Sequence, residues 1–273
     1  MAGTLQPEWG FIEAHGTRLY YEVAGRGHPL VLLHSGLLDH RSWDLQFMEF
    51  AQHYEVVRYD RRGFGRSAMG NVEYSDVRDL YDVLNDLAID HAYLLGLSLG
   101  GRVAIDFALT YPEMVDALIL AAANISGYDN YTPETRERGA RIAAAARAGD
   151  KEQLYELWAK DPTMPQEDEY PEAAQRYREL LRDYSFVHYL NPAPRQPLKP
   201  PALQRLADIR QPTLILIGDA DSLEMQAQAD LLEAGIIDAR KVVIHGAGHM
   251  LNLERPETFN RAVLTFLRSL ERR

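Results

Sequence analysis

The chain has 273 residues, 46% hydrophobic and 25% charged, with a formal charge of -11 from 29 basic and 40 acidic residues. That length fits one α/β core carrying an insertion, and the acidic balance, with no basic stripe to offset it, argues against nucleic acid or an anionic membrane as partner. The lack of cysteine excludes disulfides, thiolate catalysis and cysteine-ligated metals, and no apolar run approaches the roughly 20 residues needed to span a bilayer. Met1–Trp9 has no basic region followed by an apolar core, so no secretory leader is expected and the cytoplasm is the expected location.

Phe11–Ala14 and Arg18–Val23 alternate in period two about His15-Gly16, which predicts an antiparallel hairpin of edge strands. Pro29–Leu33 is a continuous apolar run, the pattern of a strand covered on both faces. It ends in His34-Ser35-Gly36-Leu37, a small-residue loop able to expose backbone N–H groups. Asp39–Ala51 has helical spacing, Val56–Tyr59 is another buried strand, and the loop Asp60–Ser67 with its two glycines is read as structural. Val77, Leu80, Tyr81, Leu84 and Leu87 form one apolar stripe of a helix over Ser75–Leu87.

Next, a strand over Tyr93–Leu97 meets a helical pattern over Arg102–Thr110, with Ser98 on the turn between Gly96 and Gly100. So tight a turn strains the serine backbone and leaves no room for bulky neighbours. It also exposes Ser98 beside the free N–H groups and positive dipole end of the following helix. Alternating strands and helices predict right-handed crossovers and a mostly parallel sheet.

After a strand at Ala117–Ala123 the period changes: helical stretches follow at Pro133–Ala148, Lys151–Lys160 and Pro171–Arg182. A return passage then runs through Pro192, Pro194, Pro197, Pro200 and Pro201. The sheet resumes at Thr213–Ile217, ending in Gly218-Asp219-Ala220-Asp221. A helix over Leu223–Ala234, a strand over Lys241–His245 ending in Gly246-Ala247-Gly248-His249, and an amphipathic helix over Pro256–Leu270 complete the chain. The expected division is a core of residues 1–123 and 207–273 and a helical cap of residues 124–206.

Three strand ends thus present serine, carboxylate and histidine in that order. Together with His34-Ser35-Gly36, Asp60-x-Arg62-Gly63-x-Gly65-x-Ser67, Gly96-x-Ser98-x-Gly100-Gly101, Gly218-x-x-Asp221 and Gly248-His249, they make nearly the whole chain resemble the α/β-hydrolase superfamily. The resemblance implies an α/β fold with a mostly parallel eight-stranded sheet flanked by helices, and a helical cap insertion. Its serine esterase and enol-lactonase branch is the one most similar around Leu33–Asp39 and Trp43-Asp44.

The chemistry calls for these residue types. A serine hydroxyl is a weak nucleophile until a base takes its proton, so Ser98 as nucleophile needs His249 as base, and Asp221 would hold the imidazole tautomer. Asp221 is preferred to Asp219 on the Gly-x-x-Asp spacing, although the family's common proline after the acid is absent at Ser222–Met225. Some relatives carry the acid after the sixth strand, where this chain has Asn124. The oxyanion donors expected are the amide of Leu99 and that of Gly36 or Leu37; the count from His34 to Trp43 selects Gly36 and leaves Leu37 crowding the acyl end.

His34, Leu37, Trp158, His188 and Met250 are the candidate substrate-pocket residues, His34 being similar to the family's oxyanion-loop histidine. Tyr155, Trp158, Met164, Tyr177, Tyr184, Phe186 and Tyr189 would give the cap an aromatic, apolar inner surface suited to an uncharged ester. His15, His28, His40, His53 and His91 are read as ordinary surface residues. His245 and His249 fail as a helical metal pair because glycines separate them, and neither a metal nor an organic cofactor is implied. A serine at the elbow excludes the branches that attack with aspartate. The reading is a carboxylesterase for short acyl chains, its partner a small-molecule ester. A lactonase, a carbon-carbon hydrolase or a ligand-binding pseudo-hydrolase stand as alternatives.

Overall fold

Short runs of aliphatic residues become the interior strands of one eight-stranded sheet in a computed structural model that describes residues 6–271. Met1–Leu5, most of the stretch on which the leader expectation rests, and Arg272-Arg273 lie outside the described residues. The strands are β1 (Glu8–Ala14), β2 (Thr17–Gly25), β3 (Pro29–Leu33), β4 (Glu55–Tyr59), β5 (Ala92–Leu97), β6 (Val115–Ala121), β7 (Thr213–Gly218) and β8 (Ala239–Ile244). Their order is β1-β2-β4-β3-β5-β6-β7-β8. The pairs β1-β2 and β2-β4 are antiparallel, and every other pair is parallel. This is the α/β-hydrolase architecture. All residues of β5 and β7 are buried, as strands covered by helices on both faces must be.

Among the described residues ten α-helices accompany the sheet: α1 (Asp44–Phe50), α2 (Asp76–Asp86), α3 (Leu99–Ala108), α4 (Pro133–Ala148), α5 (Lys151–Ala159), α6 (Pro171–Asp183), α7 (Val187–Leu190), α8 (Leu223–Gly235), α9 (Leu251–Glu254) and α10 (Pro256–Leu270). Helices α4 to α7 all fall between β6 and β7, so the change of period after Ala123 marks a helical segment inserted into the sheet sequence. Its first helix is capped by Thr132, whose side chain accepts from the Thr135 amide, with Pro133 at the first helical position.

Three local expectations need correction. The hairpin does not supply two edge strands: β2 pairs with β4 as well as β1, so only β1 is at the edge. Alternation reports one covered face and says nothing of lateral position. Asp39–Ala51 is not one helix. The Asp39 carboxylate accepts from the Arg41 amide and caps a short 3-10 turn, His40–Trp43, before α1 starts. His40 is not a surface residue but is buried, with Nδ1 2.7 Å from Asp60 Oδ1 and Nε2 3.3 Å from Glu22 Oε1. Burial opposes its protonation, yet these carboxylates outweigh that and push its pKa up to about 9.

The topology positions the site. Strand β3 lies between β4 and β5, so the chain reverses its direction of travel across the sheet there, and the loops after β3, β5, β7 and β8 leave the same parallel-strand ends. Open α/β sheets bind ligands in the crevice at such a switch point.

Candidate active site

No residue separates β5 from α3 except Ser98 itself, at φ 55 and ψ -114. Such a backbone costs about 1–3 kcal/mol at a non-glycine residue and persists only when its surroundings enforce it. Here the Ser98 amide donates to Ala121 O at 2.9 Å, and the Ser98 carbonyl accepts from the Asn124 amide at 3.2 Å. A Cβ on Gly100 would lie 2.1 Å from Leu33 O, so only glycine lets α3 pass β3 this closely. The helix begins at Leu99, three residues before the start that periodicity predicts, because Gly100 and Gly101 carry no apolar signal.

Across the turn, His249 Nε2 stands 3.0 Å from Ser98 Oγ, and His249 Nδ1 2.9 Å from Asp221 Oδ2. The other Asp221 oxygen accepts from the Ser222 amide at 2.7 Å. Asp219, the competing acid, faces outward and meets exposed His245 at 2.9 Å and the Gly246 amide at 2.7 Å. Burial pushes the His249 pKa down, but the charge and hydrogen bond of Asp221, then the charge of Asp161, leave it above 6.5. Three bonds fix the histidine loop from two sides. The His249 amide donates to Thr163 O of the inserted segment at 3.1 Å, and buried Glu254 accepts from the Gly248 and Met250 amides. Asn124 Oδ1 lies 3.3 Å from Ser98 Oγ, a second neighbour of the hydroxyl.

The loop after β3 is held from below. His34 is fully buried: Nδ1 donates to Ser35 O at 2.7 Å, and Nε2 accepts from the Arg61 amide at 3.0 Å. Burial, then the Arg61 charge, keep this imidazole well below its ordinary pKa, matching the neutral tautomer those bonds require. The Arg61 guanidinium also donates to Ser35 O, at 2.9 Å. Among the described residues the amides of Gly36, Leu37 and Leu99 have no acceptor. A Cβ on Gly36 would lie 3.2 Å from Leu99 Cδ2, so the two amide-bearing segments adjoin.

A cavity of about 320 Å³ opens above Ser98, with Leu37, Trp158 and Met250 in its wall beside Met164, Tyr177 and Tyr189. His34 and His188 do not line it. His34 is spent on backbone, while His188 stacks on Phe64 with centroids 4.2 Å apart and bonds Tyr184 Oη at 2.7 Å. Burial first, then Arg61, lowers the His188 pKa to about 4. Tyr155, Tyr184 and Phe186 likewise pack into the core rather than the wall.

Sequence reasoning missed the polar part of that wall: Asn124, Thr135, Arg138, Asp161 and Glu224. Arg138 pairs with buried Asp161 at 2.9 Å. Glu224 Oε1 accepts from Thr132 N at 3.1 Å, Thr132 Oγ1 at 2.8 Å and Thr135 Oγ1 at 2.6 Å, tying α8 to the start of α4. Nothing in residue spacing announces these partners, which come from segments some 90 residues apart.

Comparison with known proteins agrees with the fold. The chain is 31% identical to a 2-hydroxy-6-oxononadienedioate/2-hydroxy-6-oxononatrienedioate hydrolase of Burkholderia vietnamiensis, covering 92% of this chain and 91% of that one. It is 27% identical to 3-oxoadipate enol-lactonase 1 of Acinetobacter baylyi, covering 94% and 95%. A thermophilic esterase from Thermogutta terrifontis superposes with a TM-score of 0.81 at 26% identity, covering 96% and 99%. Residues 30–262 match the model of the Alpha/beta hydrolase family, and with the fold and the strand-end constellation this establishes that the chain belongs to that family, as a hydrolase.

Proposed function

We propose that the chain is a serine carboxylesterase for small, uncharged, short-chain acyl esters, residues 124–206 acting as the cap over a core of residues 1–123 and 207–273. The observation that supports this best is the line of contacts from Ser98 to His249 to Asp221, at 3.0 and 2.9 Å, on the floor of a cavity walled by aromatic and aliphatic side chains. Ser98 Oγ attacks the ester carbonyl as His249 Nε2 takes its proton. The carbonyl oxygen becomes an oxyanion against the amides of Leu99 and Gly36, at the positive end of α3. His249 returns the proton to the leaving alcohol, and a water that it activates then hydrolyses the acyl-enzyme. Asp221 holds the imidazole and stabilises its cation. A screen of chromogenic esters over acyl length, with lactones beside them, tests the reading. No turnover of any ester, with lactones or vinylogous diketones hydrolysed instead, would replace it by the lactonase or carbon-carbon hydrolase alternative.

The charge of the wall favours the esterase over hydrolysis of carboxylate-bearing substrates such as the dioates named for the Burkholderia relative. Arg138 is neutralised by Asp161, whereas among the described residues no basic side chain pairs with Glu224. Burial opposes ionisation of Glu224, but the hydrogen bond from Thr135, its own amide and the bonds from Thr132 outweigh it and bring its pKa down to about 2. A fixed anion in the wall repels a second one. Wild-type kcat/KM is therefore expected to be at least about tenfold lower for a p-nitrophenyl ester whose acyl chain ends in carboxylate than for its methyl-ended match. Glu224→Gln keeps an acceptor for the threonines and removes the charge, so it should narrow that gap to about threefold or less. An unchanged gap would assign the selectivity elsewhere.

Leu37 is buried against the cavity beside the proposed oxyanion loop. Leu37→Ala should raise kcat/KM for longer acyl chains by about tenfold relative to acetate, within the 1–3 kcal/mol that a few methylenes can contribute. An unchanged chain-length profile would count against Leu37 as the acyl stop.

A further inference from the structure

At the opposite end of the sheet from Ser98, three residues scattered in sequence converge. His28 immediately precedes β3, His91 immediately precedes β5, and Asp116 is the second residue of β6; these three strands are neighbours in the sheet. His91 Nδ1 lies 2.5 Å from Asp116 Oδ2, and His28 Nε2 lies 2.9 Å from the same oxygen. The three ligand-capable atoms all fall within 4.8 Å of one another. We propose that His28, His91 and Asp116 form a binding site for a divalent transition-metal ion, zinc being the best match, separate from the hydrolytic centre.

Three observations carry this. First, a register shift in the β5-β6 pairing sets Ala92 opposite Val115 and Tyr93 opposite Ala117, which leaves Asp116 as the extra residue of a bulge. Bulges re-aim side chains, and this one brings the Asp116 carboxylate to both imidazoles. Second, His28 Nε2 is buried and makes no aligned hydrogen bond despite standing 2.9 Å from that oxygen. A ring nitrogen close to a carboxylate but not directed at it has its lone pair free for a third point, as when two ligands flank one ion. Third, the frame is rigid. The His28 carbonyl accepts from the Glu55 amide at 3.2 Å, and its ring lies against Tyr93 with centroids 4.1 Å apart.

The donor set selects the ion. Two imidazole nitrogens and one carboxylate oxygen suit zinc, nickel or copper, whereas calcium and magnesium demand oxygen. Ligands about 2.0–2.1 Å from a tetrahedral zinc stand about 3.3 Å from one another, so binding would part His91 and Asp116, now 2.5 Å apart, and to a lesser extent His28 and Asp116, now 2.9 Å apart, with water completing the shell. Bound metal would tie the starts of β3, β5 and β6 together and stabilise the fold by mass action. It takes no part in the chemistry at Ser98.

Calorimetric titration of the chelator-stripped full chain with zinc chloride at pH 7.5 tests the site. The expected result is one ion per chain, with affinity reduced at least about tenfold in His91→Ala and in Asp116→Asn and unchanged in His245→Ala, the control for the other surface histidine-carboxylate pair. Zinc should raise the melting temperature of wild type by a few degrees and that of His91→Ala by none. Absence of one-to-one binding, or equal affinity in His91→Ala, overturns the proposal. His91 is exposed, so its variant decides the question even if Asp116→Asn does not fold.

Discussion

Ser98→Ala is expected to lower kcat on the best chromogenic ester by about a million-fold while leaving the melting temperature within a few degrees of wild type. Removing the nucleophile of a serine-histidine-carboxylate set costs about as much as removing the whole set, because the members act only together. The alanine fits where the serine stands, since among the described residues Ser98 Oγ hydrogen-bonds only with His249 and Asn124. The φ of 55 remains strained for any side chain, so little change in stability should come from the backbone. Stopped and steady-state assays of purified protein measure the first effect and thermal unfolding the second. Activity above about one-thousandth of wild type would show that water is activated without Ser98, and the acyl-enzyme mechanism would fall.

The second large effect belongs to Asp221→Asn, with an expected loss of about ten-thousand-fold in kcat and a displaced pH profile. The amide would donate to His249 Nδ1 and so favour the wrong tautomer. In the proposed mechanism neutral His249 is the base, and Asp221 raises its pKa from the ordinary histidine value in the folded protein. Wild-type kcat/KM should therefore fall as pH drops, with the acid limb lying above the ordinary histidine range. Burial alone lowers that pKa, and Asp221 is the main influence raising it. Its loss should carry the acid limb to lower pH. A limb that stays put would mean that another carboxylate sets the charge of His249. The same shift has a stability sign. A histidine raised on folding contributes stability in full below its unfolded pKa and loses it as pH rises through the folded value, so the protonated, inactive enzyme is favoured by that linkage.

Much of this was legible in the sequence because it is local. A strand turning into a helix around Gly96-Leu97-Ser98-Leu99-Gly100 constrains backbone within five residues, and chain order narrows the partners to the ends of later strands. Asp221, preferred over Asp219 on spacing, turns toward His249, and Asp219 toward His245. What stayed hidden is long-range. His40 looked exposed because nothing near it in sequence says that Asp60 and Glu22 will enclose it. Glu224 lies in the first turn of α8, and nothing near it in sequence says that the start of α4 will come to rest on it. His28, His91 and Asp116 are joined only by the order of the sheet, and the bulge that turns Asp116 leaves no mark in hydrophobic pattern.

The bond from the His249 amide to Thr163 O gives the inserted segment a second task. A segment that governed substrate range alone could be exchanged between relatives without touching the reaction centre. Here that segment supplies one of the anchors of His249, the proposed general base. A chimera that imports a foreign segment without an acceptor at the position of Thr163 should lose turnover on every ester alike. On the proposed mechanism selectivity and reactivity are therefore not independent modules, and a useful graft must carry that carbonyl with it.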